Sequence, residues 1–563
     1  MTARFPVGID DFRKVREGHL EYVDKSHLIQ EVLDLGAEVL LLPRPRRFGK
    51  TLNLSMLRCF FEKRDEDLSP LFEDLRVWQA GEPYRSHFQR YPVIHLSFKG
   101  AKADRFEDCW AALRKKIQGL FLEHRDLLEG DHLNEWESRD FRAILDETAG
   151  RELYVRALLD LSGYLRRLHG ERVVILLDEY DEPIHAGYVH GYAPQILDVC
   201  RTLLTETLKG NPHLFKAVVT GILRVARESI FSGLNNLAVF SLLQTKFNTC
   251  FGFTEPEVVA LLERTGRQQR REAVRAWYNG YLFGGEVIYN PWSVLSFLQG
   301  DEDDPQPYWL STSSNDLIRG LLERRGPELH ASVEALLEGG SVERVLEENV
   351  PLAELMENED ALWSLLVFSG YLKAEKRSRG SMEQAAHRLS IPNLEVRLLY
   401  TGTFRRWLSA RMRGHGGSVE KLTRALLGGD AETLEEQLQA FATSVLSYHD
   451  GTGADAEQVY QGFVLGLLAT LEPEYAVRSN RESGRGRPDV LIRPAQPGKP
   501  GVVLELKVAK PARKTLAQAL EEGAAQIREG DYAAELRATG ASPVHAFAVA
   551  FDGKEVRVAA AGG

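Results

Sequence analysis

Four short apolar runs, separated by segments with helical periodicity, place the strongest constraint on the fold of this 563-residue chain. The runs occupy residues 37–43, 92–98, 172–177 and 214–220. Runs this apolar are typical of strands buried on both faces, and their alternation with helices is typical of a parallel sheet. We therefore predict an α/β domain over residues 1–240, built on a parallel sheet flanked by helices.

The rest of the chain predicts two further parts, since a chain of this length does not form a single core. Residues 241–448 carry mostly helical signals, so we expect a mainly helical middle region. Residues 449–563 follow an α-β-β-β-α-β order, which fits a compact mixed domain of ordinary size.

Composition limits the function classes and the compartment. A 44% hydrophobic and 27% charged chain is typical of soluble globular proteins, and a net charge of −11 argues against a general nucleic-acid coating protein. No apolar run reaches the ~18–20 residues that span a bilayer, and the N-terminus lacks the apolar stretch of a signal peptide. The cysteines show neither pairing nor metal-site spacing, which favours a reduced, cytoplasmic protein without a membrane partner. They are Cys59, Cys109, Cys200 and Cys250.

A predicted hairpin over residues 487–508 carries two carboxylates and a lysine. If the turn centres on Pro497, Asp489 lies opposite Glu505. Because side chains alternate along a strand, Lys507 shares their face, while apolar residues form the core face. Two carboxylates beside a lysine suit a hard divalent cation that activates water, with Lys507 orienting or balancing the nucleophile.

Two simpler interpretations of this hairpin stay open. Glu–Lys pairs are common on the solvent face of ordinary hairpins, and runs of charge are often only solvated surfaces. The segment 478–514, however, holds ten basic and three acidic residues, a net charge of +7, and two of the three acids are the proposed ligands. This local charge favours a polyanionic partner, which we take to be DNA or RNA.

The segment 44–51, R-P-R-R-F-G-K-T, predicts a phosphate-binding loop between a buried strand and a helix. Gly49, Lys50 and Thr51 match the end of the P-loop pattern, in which the lysine reaches phosphates and the hydroxyl binds Mg²⁺. Arg44 replaces the first glycine of the pattern, and Pro45 removes an amide donor. By itself G-K-T is also compatible with a surface turn.

The ends of two later strands supply partners for this loop. Asp178 ends the third apolar run and would hold Mg²⁺, while Glu179 would orient or deprotonate the attacking water. Thr220 ends the fourth run and would sense the γ-phosphate. Arg224 or Arg227 would neutralise transition-state charge, although both could equally form surface salt bridges.

These segments together resemble a prokaryotic family of AAA-ATPase-like proteins with a C-terminal PD-(D/E)xK nuclease-like domain. The matching text runs through nearly the whole chain and comprises G-I-D-D-F (8–12), Y-V-D-K-S (22–26), R-P-R-R-F-G-K-T-L-N-L-S-M-L (44–57), L-L-D-E-Y-D-E-P-I (176–184), T-G-I-L-R-V-A-R-E-S-I-F-S-G-L-N-N-L (220–237), F-G-F-T-E-P-E-V (251–258), W-Y-N-G-Y (277–281), Y-N-P-W-S (289–293), T-S-S-N-D (312–316), S-N-R-E-S-G-R-G-R-P-D (479–489) and E-L-K-V-A-K (505–510).

The resemblance implies an ASCE-type P-loop core that binds ATP, a helical middle region and a restriction-endonuclease-like domain using Mg²⁺ or Mn²⁺. It maps the nuclease motif onto Asp489, Glu505 and Lys507. Gln526 and Tyr532 are similar to a glutamine and tyrosine of RecB-type nucleases, with a different spacing.

The sequence leaves three functions: an ATP-regulated nuclease, a nucleotide-dependent switch that binds without cleaving, and an ATP-driven translocase. The intact Asp489, Glu505 and Lys507 favour the nuclease over the switch, and the translocase ranks last because helicase motifs are not evident. A homo-oligomer also stays open, because ASCE ATPases often borrow an arginine from a neighbour.

Overall fold

The computed structural model divides the chain into two compact units, residues 1–317 with 342–396 and residues 318–341 with 397–563. The predicted middle region is thereby shared between the units, and the boundaries at 240 and 448 stay a prediction. Among the described residues, no helix is both long and apolar enough to cross a bilayer. The structure describes residues 4–222, 234–300, 305–309, 329, 332–333, 335–337, 339–348, 358–376, 386–402, 417–445, 468, 471, 474–479, 488–509, 514–553 and 555–561.

A five-stranded parallel sheet organises the first unit, as the apolar runs predict. Its spatial order is β2-β3-β4-β1-β5, so β4 lies between the strand that precedes the P-loop and the strand that ends in Asp178. Each of β1 to β4 is buried along most of its length because helices cover the sheet. The strands are β1 (Val39–Pro43), β2 (Val93–Ser97), β3 (Val173–Asp178), β4 (Leu214–Gly221) and the unpredicted edge strand β5 (Leu237–Val239).

Ten helices of residues 4–222 surround this sheet. The P-loop helix α3 packs against β3 and β2, α6 against β2, and α8 against β3. Helix α3 begins at Lys50 because Gly49 adopts φ +83°, a left-handed conformation that favours glycine. The helices are α1 (Phe12–Glu17), α2 (His27–Asp34), α3 (Lys50–Phe61), α4 (Arg76–Gln79), α5 (Glu82–Arg85), α6 (Phe106–Glu123), α7 (Glu135–Leu145), α8 (Arg151–His169), α9 (Glu182–His190) and α10 (Ala193–Leu208).

The middle of the chain is mainly helical, with two small antiparallel sheets that the sequence analysis did not predict. Helix α11 starts at a capping box of Thr254 and Glu257, which satisfies exposed backbone N–H groups. The sheets have the orders β6-β8-β7 and β10-β11-β9. The elements are β6 (Phe253–Thr254), α11 (Glu255–Arg264), α12 (Arg271–Tyr278), β7 (Tyr281–Phe283), β8 (Glu286–Tyr289), α13 (Pro291–Gln299), β9 (Val342–Val345), α14 (Glu359–Phe368), β10 (Lys373–Lys376) and β11 (Ala386–Ser390).

The second unit contains a five-stranded mixed sheet in the order β12-β13-β14-β15-β16, with only β14 and β15 parallel. The predicted strand order through β15 is confirmed, and the structure adds α18 and β16, which were not predicted. Most of the predicted helix at 456–471 lies outside the described residues. The elements are α15 (Val419–Gly428), α16 (Ala431–Val445), β12 (Tyr475–Ser479), β13 (Val490–Pro494), β14 (Gly501–Val508), α17 (Leu516–Gly530), α18 (Ala533–Ala538), β15 (Val544–Asp552) and β16 (Glu555–Ala560).

The hairpin of β13 and β14 has the predicted register, with Val490 paired to Leu504 and Ile492 to Val502. The face that carries the carboxylates was not predicted to be core, but it is covered as well. Leu491 and Val503 share the face of Asp489 and pack with residues of α17 in a buried apolar cluster. The opposite face is also buried, because α15 contacts β14 and β15.

We predict that the Gly284-Gly285 turn between β7 and β8 tolerates alanine at only one position. Both glycines have positive φ, +54° and +92°. A Cβ on Gly284 would lie 2.2 Å from the Gln244 carbonyl oxygen, whereas one on Gly285 meets nothing within 4 Å. Gly285→Ala should cost about 1 kcal/mol of backbone strain, and Gly284→Ala about 2–4 kcal/mol because overpacking is added. Thermal unfolding of the two variants tests this, and equal midpoints would contradict it.

Candidate functional sites

A cavity of about 480 Å³ lies against the loop that joins β1 to α3. Besides that loop, its walls come from the segment after β2, the start of α9 and the beginning of α13. A cavity outside the carboxyl ends of parallel strands is the usual ligand position in open α/β sheets. The residues that line it include Arg47, Gly49, Lys50, Thr51, Glu179 and Trp292.

The carboxylate of Asp178 joins three elements at this cavity. It is fully buried at the end of β3 and accepts hydrogen bonds from Thr51 Oγ1 at 2.7 Å and from Thr220 Oγ1 at 2.5 Å. Thr51 comes from the first turn of α3 and Thr220 from the end of β4. Three residues predicted for one site, more than 40 positions apart in sequence, therefore meet through one carboxylate.

Lys50 is buried and its side chain turns back over the loop. Its Nζ donates to the carbonyl oxygens of Arg44 and Pro45, both at 3.0 Å. Burial lowers the pKa of the amine, while the nearby carboxylates, Glu179 first, oppose that shift. The amine is thus held over the mouth of the loop by two neutral acceptors that an anion could replace.

Glu179 also lines the cavity, in a left-handed backbone conformation with φ +51°. Positive φ is uncommon outside glycine and marks a backbone held by its surroundings. Burial and a hydrogen bond with Glu182 raise the pKa of its carboxyl, whereas Lys50 opposes the rise. A raised pKa brings a carboxylate closer to the range in which it accepts a proton efficiently.

The second group of predicted site residues meets at the end of the β13–β14 hairpin. Lys507 Nζ donates to Glu505 Oε1 at 2.7 Å and lies 4.0 Å from Asp489 Oδ2. Asp489 is the last residue before β13, and its Oδ2 accepts the backbone N–H of Leu506 at 2.7 Å. The Asp489 side chain therefore hydrogen-bonds to β14 just outside the paired part of the two strands, which begins at Val490 and Leu504.

The carboxyl group of Glu505 is buried within this triad at an electrostatic cost. Only 1% of its side chain is exposed, and burial, followed by the charge of Asp489, raises the pKa of its carboxyl to about 7 against the opposing effect of Lys507. Its Oε2 is buried and has no hydrogen-bond partner among the described residues. A second positive charge near this oxygen would remove both penalties.

Helix α17 passes directly over the triad at Gly523. A Cβ there would lie 3.2 Å from Ala548 Cβ, 3.4 Å from Lys507 Cγ and 3.8 Å from Glu505 Cγ. No role was predicted for Gly523 from the sequence, although an isolated glycine in a helical pattern is a signal of close packing. One turn later Gln526 Nε2 donates to the Tyr532 hydroxyl at 3.2 Å, so these two predicted residues do contact each other.

Comparison with known proteins gives two family matches. Residues 6–231 match the family described as predicted AAA-ATPase, and residues 455–561 match the PD-(D/E)XK nuclease superfamily. A protein of Azotobacter chroococcum mcd 1 named "Uncharacterized protein in vnfD 5'region" is 30% identical over 561 residues, covering 97% of this chain and 96% of that protein. The chain belongs to the AAA-ATPase-like family. It carries a nucleotide-binding type of domain followed by a nuclease-like domain of the PD-(D/E)XK type.

In this AAA-ATPase-like domain, Arg44 is a structural residue rather than part of the cavity wall. Its fully buried guanidinium donates to the carbonyl oxygens of Pro43 at 2.8 Å, Phe240 at 2.7 Å and Phe247 at 3.0 Å. It also lies 5.2 and 5.5 Å from the ring centroids of Phe251 and Phe283. Burial lowers the pKa of this arginine to about 10. The residue that replaces glycine thus ties the start of the P-loop to the chain after β5.

Arg47 and Trp292 form a cavity feature that the sequence analysis missed. The Arg47 guanidinium lies 4.0 Å from the ring centroid of Trp292, within cation–π range, and Arg47 has φ +69°. Trp292 belongs to the segment Y-N-P-W-S, which carried the family resemblance without an assigned role. Its distance from the P-loop in sequence, more than 240 positions, hides this contact.

The other predicted basic residues are only partly placed. Arg224 and Arg227 lie outside the described residues, as do Arg481, Arg485, Arg487, Lys510 and Arg513. Lys499 Nζ is 3.8 Å from Glu474, and Lys514 pairs with Glu522. Both acids lie outside segment 478–514, so they offset two of the ten basic charges counted in that segment.

We predict that Arg44→Met destabilises the AAA-ATPase-like domain by about 1–3 kcal/mol, because it leaves buried carbonyl oxygens without donors. Arg125→Met is the matched control, since Arg125 is exposed and the substitution should change stability by less than about 0.5 kcal/mol. Thermal unfolding followed by circular dichroism measures both. An Arg44→Met protein as stable as wild type would contradict the structural role.

Proposed function

We propose that this protein binds and hydrolyses ATP and that its C-terminal domain hydrolyses nucleic-acid phosphodiesters in the presence of Mg²⁺. The observation that carries the nuclease proposal is the convergence of Asp489, Glu505 and Lys507, with Glu505 Oε2 buried and unpaired within the described part of the chain. A surface hairpin with an ordinary Glu–Lys pair would leave that oxygen in water.

The donor set fits a hard divalent cation. Asp489 and Glu505 supply carboxylate oxygens, which Mg²⁺ and Mn²⁺ prefer, and the Leu506 carbonyl is a further candidate ligand. A cation bound there would supply Lewis-acid activation of water and charge stabilisation at phosphorus. Its charge would also lower the raised pKa of Glu505 and keep both carboxylates ionised at neutral pH.

The protein's own groups have separate roles in this proposal. Lys507, 2.7 Å from Glu505 and 4.0 Å from Asp489, is positioned to orient the attacking oxygen or to offset its charge. Gln526 and Tyr532, joined by their hydrogen bond, would contact the substrate strand from α17 and the residues after it. The basic residues around 478–514 would attract the phosphate backbone of DNA or RNA.

In the AAA-ATPase-like domain, the cavity is the proposed ATP site. The amide groups at Gly49 and the start of α3 would face the phosphates, and Lys50 would exchange its two carbonyl acceptors for phosphate oxygens. Thr51 and Asp178, already hydrogen-bonded to each other, would hold Mg²⁺. Glu179 would accept the proton of the attacking water, and Thr220 and Arg224 would sense or neutralise the γ-phosphate.

One observation favours the second candidate, a nucleotide-dependent switch whose nuclease-like domain binds without cleaving. The triad is internally paired, since Glu505 Oε1 accepts from Lys507 and Asp489 Oδ2 accepts from a backbone N–H. Such pairing also stabilises a module that has no catalytic role.

In the favoured proposal, the nucleotide state controls access of the nuclease site to its substrate.

Location and assembly are part of the same proposal. The four buried, unpaired cysteines agree with a reducing compartment, and we propose the cytoplasm. A homo-oligomer in which a neighbour supplies an arginine to the ATP site would complete the charge balance if Arg224 and Arg227 do not.

Lys50→Ala should weaken ATP binding by at least about 100-fold, because it removes the charged donor to the phosphates. Lys63→Ala is the matched control, since Lys63 is an exposed lysine just beyond α3. Isothermal titration calorimetry with ATP and Mg²⁺ measures both affinities. Unchanged affinity of Lys50→Ala would refute the P-loop assignment.

Asp489→Asn should abolish Mg²⁺- or Mn²⁺-dependent cleavage while ATP hydrolysis is retained. The amide keeps an acceptor for the Leu506 N–H, so the hairpin should survive while the anionic ligand is lost. Glu529→Gln, an exposed change on α17, is the control. The assay uses single- and double-stranded DNA and RNA, with and without ATP. If wild type cleaves none of these nucleic acids with any divalent metal but binds at least one of them, the nuclease proposal is refuted in favour of the nucleotide-dependent switch.

A further inference from the structure

Three side chains with metal-ligating atoms meet beside the P-loop, and none of them has a role in either site described above. His27 and Glu31 lie one turn apart on α2, and therefore on one helix face, while Cys250 lies in the segment before β6. One ligand atom from each residue lies within 4.8 Å of the others. Ligand atoms of a tetrahedral zinc site are about 3.5 Å apart, given metal–ligand distances of about 2.0–2.3 Å. Small side-chain adjustments would close this group around one ion.

The imidazole of His27 is arranged as metal-binding histidines are. Its Nε2 lies 3.2 Å from the Thr249 hydroxyl, and its Nδ1 is buried without a hydrogen-bond partner among the residues that the structure describes. If Nε2 carries the proton and donates to Thr249, Nδ1 keeps a free lone pair. A histidine ligand usually donates its second ring N–H to an oxygen, which fixes the tautomer.

Two further features prepare these residues for a cation. Burial, reinforced by the charge of Lys25, lowers the pKa of His27, which favours the neutral ring that binds metal ions. Glu31 Oε2 accepts the backbone N–H of Phe247 at 2.8 Å, which fixes the carboxylate. Its Oε1 accepts from the fully buried Cys250 thiol at 3.5 Å.

The nearby cations have other acceptors. Lys25 Nζ pairs with Glu257 at 2.7 Å, and Arg44 donates to backbone carbonyl oxygens. Within the described chain, neither hydrogen-bonds to Glu31. A divalent ion bound by a thiolate, a carboxylate and a neutral imidazole forms a group with no net charge, which limits its repulsion from these cations.

We propose that His27, Glu31 and Cys250 bind a Zn²⁺ ion, with the Cys250 thiol releasing one proton as the metal–sulfur bond forms. Thiolate with imidazole is the ligand chemistry of zinc and disfavours Mg²⁺ or Ca²⁺. The ion would also hold one wall of the ATP cavity in place. Cys250 lines that cavity, and its carbonyl oxygen accepts from Asn53 of α3 at 2.8 Å.

The test uses the full-length protein and Co²⁺ as a spectroscopic substitute for Zn²⁺. Wild type should bind one equivalent of Co²⁺ and show a near-ultraviolet sulfur-to-cobalt charge-transfer band. Addition of Zn²⁺ should abolish this band. Cys250→Ser should lose the band, whereas Cys59→Ser, another buried cysteine, should keep it. The proposed sites at Asp178 and at Asp489 hold oxygen ligands only, so they contribute no such band.

Two further variants keep the proposal testable if Cys250→Ser does not fold. Glu31→Gln retains an acceptor for the Phe247 N–H, and His27→Gln retains a polar side chain of similar reach. Each should weaken Zn²⁺ binding at least tenfold in a competition with a chromophoric chelator. The absence of the band in wild type, its persistence in Cys250→Ser, or wild-type zinc affinity in both further variants would overturn the proposal.

Discussion

The first unit depends on the buried carboxylate of Asp178. Burying a carboxylate is costly unless its oxygens are paired, and Thr51 and Thr220 pair both oxygens of Asp178. This requirement fixes the first turn of α3 and the end of β4 against the end of β3. The P-loop therefore lies where the carboxyl ends of three strands and one helix start converge, beside the cavity.

Arg44 extends the same principle to the other side of the loop. A P-loop with glycine at this position would owe its shape to backbone freedom, whereas here a buried guanidinium fixes the loop by three carbonyl contacts and two aromatic rings. The same segment that accepts from Arg44, residues 240–250, also carries Cys250 and contacts α3 through Asn53. A zinc ion at Cys250 would therefore further fix the segment 240–250, which already holds the P-loop through Arg44 and Asn53.

In the second unit, one sheet face combines core packing with charge. Leu491 and Val503 pack under α17, and Gly523 lets the helix approach Lys507 and Glu505 without a clash. The resulting burial raises the pKa of Glu505 and leaves its Oε2 unpaired among the described residues. That stored electrostatic cost is what a divalent cation would relieve.

Much of this was predictable from sequence because it follows from local patterns. Apolar runs predicted β1 to β4, strand alternation and one turn centre predicted the pairing of Asp489 with Glu505, and the G-K-T, Asp178 and Thr220 positions predicted one site. The edge strand β5, the small middle sheets, the covered triad face, the buried Arg44 and the Arg47–Trp292 contact were not predictable. They depend on which distant segments pack together, and sequence spacing carries no record of that. The group of His27, Glu31 and Cys250 shows the same limit, because Cys250 lies 219 or more positions from the other two residues and only the tertiary structure brings it to them.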